Sequence, residues 1–111
     1  MSTTNAVTVP AALQQGVDAL IRLLEIAHSK SGQPRIVARF LMSLYNGDRF
    51  PFDLSDFRCL DSEIFADCLA VLQLDSQFSR KVHLYIKDGE DLWERLAKRW
   101  GFNDHGNRSW R

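Results

Sequence analysis

The sequence predicts an all-α fold: a single compact domain of about five helices around a central helix near residues 61–75. Three observations predict it. Apolar residues recur at helical spacing in several separate stretches. Pro, Gly and Asn-Gly fall between those stretches, where helices start and stop. No two alternating apolar–polar runs lie in positions to pair as a sheet.

The stretch Asp61–Asp75, DSEIFADCLAVLQLD, is the expected hub. Ile64, Phe65, Cys68, Leu69 and Leu72 follow the recurrence of one broad helical face, and Val71 and Leu74 widen it. Asp61 is a suitable N-cap, and Glu63 adds negative charge to the first turn, where the helix dipole favours it.

Residues 1–8 are small, polar and weakly patterned, so a flexible N-terminus is expected. A helical domain over residues 9–102 follows, then a flexible C-terminal tail over 103–111. Thr8 and Pro10 signal the first helix, on which Leu13, Val17, Leu20, Ile21 and Leu24 recur, joined by Leu23, Ile26 and Ala27. It should end near His28, with Gly32 as the stop. Pro34 opens a second helix with Ile36, Val37, Phe40, Leu41 and Leu44 inward, and Asn46-Gly47 ends it in left-handed conformations.

Pro51 makes Phe50-Pro51-Phe52 an extended connector. Asp53 then caps a short turn expected to carry Leu54 and Phe57 inward. Val82–Ile86 is either a strand or a helical turn. Helix is favoured, because a lone strand leaves its backbone groups unsatisfied. Asp88 with Asp91 resembles a capping box for the last helix, Glu90–Trp100, which shows Leu92, Trp93, Leu96, Ala97 and Trp100.

With 111 residues, 45% of them hydrophobic and 25% charged, the chain fits one modest core. Fourteen basic residues balance fourteen acidic ones, which argues against whole-molecule capture by nucleic acid or anionic lipid, though not against a local patch. The charge is uneven: residues 46–79 hold seven carboxylates against two arginines, between basic flanks. An acidic middle attracting its own flanks explains this plainly; an acidic docking face is the sharper reading.

No apolar run is long enough to span a bilayer, so no membrane partner is expected. The first residues lack the basic and apolar regions of a secretory signal. Two cysteines, Cys59 and Cys68, are too few for a disulfide scaffold, which favours a cytoplasmic location.

Chemistry-bearing patterns are sparse. Glu25-Ile26-Ala27-His28 has the Glu-x-x-His spacing of carboxylate-bridged metal bundles, but such sites need two copies, and Glu63 with Asp67 is the only complementary pair. No metal and no cofactor is therefore expected. Cys68 falls on the apolar stripe. Cys59 is a nucleophile candidate without a histidine near it in sequence, His83 and His105 being remote. A hydrolase or transferase built on Cys59 is the least supported class, and a non-enzyme is expected.

Two binding patches suggest themselves. Phe50, Phe52, Trp93, Trp100 and Trp110 could form a partly exposed patch for a protein partner or a second copy. Arg35 and Arg39, one turn apart on the second helix, with Lys98 and Arg99 near the end of the last, could form a nucleic-acid patch. A recognition helix over Pro34–Leu44 would expose Arg35, Ala38, Arg39, Met42 and Ser43.

The segments GQPRIVARFLMSLYNG, RFPFDLSDFRCLDSEIFADCLAVLQLDS and LAKRWGF together resemble a family of small bacterial proteins of uncharacterised role. The resemblance spans roughly residues 15–103. It implies a bacterial accessory protein of integrative and conjugative elements or other mobile DNA, and it brings no catalytic residues. The expected function is non-catalytic binding, with protein as the first partner and DNA as the alternative.

Overall fold

The computed structural model describes residues 11–29, 32–77 and 81–102. A 3-10 turn, Ala11–Leu13, runs into helix α1 (Gln14–Ala27), followed by α2 (Gly32–Tyr45). A second 3-10 segment, Leu54–Cys59, leads to α3 (Ser62–Asp75); a third, Val82–Tyr85, leads to α4 (Gly89–Trp100). The fold is all-α, with no strand among the described residues. The expected starting signals at Thr8 and Pro10, both flexible termini and Trp110 lie outside the described residues.

Helix α1 buries Val17, Leu20, Leu23, Leu24 and Ala27, the face its spacing predicts. It packs on both α2 and α3, while α2 also packs on α4. The α1–α2 pair therefore holds the centre, and α3 lies to one side. Gly16 makes the α1–α3 approach possible: a Cβ there would stand 2.8 Å from Leu74 Cβ and 3.3 Å from the Ala70 carbonyl oxygen.

The expected hub is thus corrected. Only Cys68, Val71 and Leu74 of α3 are buried, at every third position, whereas Leu69 is 48% exposed and Leu72 36%. Asp61 occupies the N-cap position with extended backbone, but its side chain makes no cap bond. Its N–H instead donates to Gln33 Oε1 at 2.7 Å, fastening the start of α3 to the start of α2.

Helix α2 buries Val37, Ala38, Phe40, Leu41, Met42 and Tyr45. Ala38 and Met42, expected on an exposed recognition surface, are both fully buried. Neither Asn46 nor Gly47 adopts a left-handed conformation; Asp88 and Gly101 alone among the described residues have positive φ. Beyond the helix, the Asn46 side chain accepts from the N–H groups of Asp48 (3.1 Å) and Arg49 (3.2 Å), an Asx turn that redirects the chain.

In the connector, Asp53 caps the short 3-10 segment by accepting from the Ser55 N–H at 2.9 Å. Phe57 turns inward as expected, but Leu54 is 72% exposed. Val82–Tyr85 forms a 3-10 turn rather than a strand. The proposed capping box is absent: Asp88 takes φ 57° with no side-chain cap bond, and Asp91 pairs with Arg95 at 2.8 Å. Gly89 begins α4 against the backbone of His83, where a Cβ would fall 1.7 Å from the His83 carbonyl oxygen. Gly101 ends α4 in the left-handed region, its N–H meeting the Ala97 and Lys98 carbonyls at 2.9 and 3.2 Å.

Candidate functional site

The residues expected to form an aromatic docking patch separate. Phe50 is 4% exposed, and Trp93 is fully enclosed with its indole N–H donating to the Leu41 carbonyl at 3.0 Å. Trp100 is half-buried and donates to the Ala27 carbonyl at 2.8 Å. These two indoles pin α4 to α2 and α1, so their polar edges are used inside the fold. Of the described patch residues, Phe50 edges one cleft and Phe52 lines a separate, open apolar groove.

That surface is built differently. Phe40 of α2, Phe52 and Phe57 of the connector and Phe65 of α3 meet edge-on or tilted, with centroids 5.0 to 5.8 Å apart. Their outer rim is a groove of about 350 Å³ lined by Leu44, Pro51, Phe52, Leu54, Phe57 and Leu72, with Ser43 and Gly47 at the end of α2. Leu54 and Leu72 stand exposed on it, and Leu69 lies exposed on the same helix one turn before Leu72. Carboxylates flank it: Asp53 and Asp56 lie on the same short segment as Leu54 and Phe57, with Arg58 the one cation of that segment. Spacing alone places Leu54, Leu69 and Leu72 inward, and no signal in the sequence separates them from core leucines.

The basic residues come together at the opposite end of α2. The guanidinium carbons of Arg35 and Arg39 lie 5.3 and 5.4 Å from the centroid of the Phe102 ring, which stacks on Trp100 at 6.1 Å. Arg99 donates to the His28 carbonyl, and exposed Lys98 borders a cleft of about 260 Å³ with Phe50, Ala97, Gly101 and Phe102. No carboxylate among the described residues lies within ion-pair distance of Arg35, Arg39, Lys98 or Arg99. The ring that gathers the arginines, Phe102, was not singled out by the sequence, because it follows the helix-ending glycine.

Other ionisable groups are committed to the fold. Asp67 of α3 accepts from Arg22 of α1 through both oxygens, at 2.8 and 3.0 Å. Glu94 accepts from Arg49 at 2.6 and 3.1 Å and from the Tyr45 hydroxyl. Burial, reinforced by Glu94, pushes the Tyr45 phenol up to about 12.

His28 Nδ1 is 2.7 Å from the Leu24 carbonyl, so its imidazole has only Nε2 left for the cleft it lines with Glu25, Lys87, Asp88 and Arg95. Among the described residues, no three His, Cys, Asp or Glu side chains gather as metal ligands. Cys68 is buried, and burial pushes its thiol up to about 12; Cys59 is exposed. No described helix is long and apolar enough to cross a membrane.

The family model DUF7673, described as a family of unknown function, matches residues 17–101. The chain belongs to that family. The DUF7673 match covers the whole apolar groove and the four basic residues, stopping one residue short of Phe102. No curated protein and no solved structure matches the chain.

Proposed function

We propose that this chain is a non-catalytic protein-binding module whose docking face is the apolar groove between the end of α2, the connector and the outer side of α3. One observation carries the reading: Leu54 and Leu72 line a groove walled by aromatic rings while 72% and 36% exposed, and Leu69, 48% exposed, lies one turn before Leu72 on α3. An isolated surface leucine is ordinary, but several contiguous with an aromatic groove mark a contact surface.

The acidic flank selects the partner. Asp53 and Asp56 beside the groove, within a segment rich in carboxylates, suit an amphipathic helix with leucine-type anchors and a basic edge. The engagement of Asp67, Glu94 and His28 within the fold supports a binder over an enzyme. The likeness to small bacterial proteins of mobile DNA supports a cytoplasmic accessory role in such a host.

A synthetic basic amphipathic helical peptide, titrated into isotope-labelled protein, tests this. Amide shifts should concentrate around Leu44, Leu54, Leu69 and Leu72, and Leu54→Ser with Leu69→Ser should weaken binding about tenfold or more. Shifts centred elsewhere, or equal binding of an acidic peptide of the same apolar pattern, would overturn the assignment.

A further inference from the structure

We infer that the basic end of the fold binds the phosphodiester backbone of a nucleic-acid strand, using Arg35 and Arg39 held on the Phe102 ring together with Lys98. This site is separate from the apolar groove and does not depend on it.

Arg35 and Arg39 stand one turn apart on α2, a spacing at which like charges repel. Both nevertheless converge on one ring, at 5.3 and 5.4 Å from its centroid. The ring face compensates part of each charge without neutralising it. No carboxylate among the described residues lies within ion-pair distance of either guanidinium, so none of the described residues occupies the forks that would meet an external anion.

Lys98 adds a third cation at the edge of the cleft that Phe102 lines. The acid in that cleft, Glu94, is held by Arg49 and Tyr45. Arg99 is anchored to the His28 carbonyl through Nη2 and adds positive charge to this end of the fold. Two guanidiniums prepositioned on a ring lose little freedom on binding, and their planar forks match phosphate oxygens. None of these groups reads a base edge, so recognition is of the backbone and indifferent to sequence.

A fluorescein-labelled oligonucleotide, single-stranded in one arm and duplex in the other, tests the site by anisotropy. Three phosphate contacts give a log–log salt slope near −2 on a single strand, a loss of about 20-fold between 50 and 200 mM salt. The Arg35→Ala/Arg39→Ala variant should lose at least about tenfold in affinity and flatten the slope to about −0.7. Should that variant fail to fold, exposed Lys98→Ala must flatten the slope by about 0.7. Absence of binding to both strands at low salt, a salt-independent affinity, or equal binding of polyglutamate would overturn the inference. The Leu54→Ser/Leu69→Ser variant should bind the oligonucleotide as the parent does, which separates this site from the groove.

Discussion

His83 shows how one side chain ties stability to pH. It packs edge-on against Tyr45 at 4.9 Å and lies 6.4 Å from Trp93, and its Nδ1 is buried without a hydrogen-bond partner. Burial holds its pKa below the ordinary 6.5; Glu90 opposes that shift and Lys81 adds to it. A histidine that resists protonation when folded gives the unfolded chain the greater proton affinity. Its contribution is complete above pH 6.5 and is lost as pH falls from there towards the lowered value. Urea denaturation between about pH 7.5 and 5.5 should show stability declining with acid, and His83→Gln should remove part of that decline. The histidine itself was visible in the sequence, but its enclosure was not: that comes from Tyr45 and Trp93, brought in by two other helices.

At the scale of the element, α3 separates what periodicity can settle from what it cannot. Its boundaries were legible, Ser62 following an acidic cap position and Asp75 preceding polar residues. Its orientation was not. Apolar residues occupy both sides of the cylinder, so their spacing names no single inward direction. The direction is set from outside, by the gap at Gly16 that admits Leu74 and Ala70. Helices α1 and α4 carry one apolar face each, and there the inward face read from spacing matches the structure, although the α4 capping box and the exposure expected of Trp93 do not. Substitutions across α3 should therefore divide sharply. Val71→Ala, at a fully buried site, should cost about 2 kcal/mol, while Leu69→Gln and Leu72→Gln should cost within about 0.5 kcal/mol, both read from chemical denaturation midpoints.

Across the whole molecule, the uneven charge has two outcomes. The acidic middle does reach a basic flank, through Asp67 and Arg22, and the arginine end of this bridge lies at the surface. Glu94 reverses the pattern, bringing a carboxylate of the basic C-terminal part to Arg49 and Tyr45. Because that second cluster is the less exposed on its cationic side, the two should differ in weight. Asp67→Ala should cost about 1 kcal/mol or less, whereas Glu94→Ala, which removes the acceptor shared by Arg49 and the Tyr45 hydroxyl, should cost about 2 kcal/mol; thermal melts of the two variants check the order. Arg35 and Arg39 join neither outcome. Local charge counts could not show this, since the ring that collects them lies more than sixty residues downstream in the chain, at Phe102.

The seam between His83 and Gly89 has a consequence for anyone recutting this domain. Every amino acid other than glycine brings a carbon for which that seam has no room. This joint has to be carried over whole. Randomised libraries spanning it should be expected to return glycine there before they return anything else.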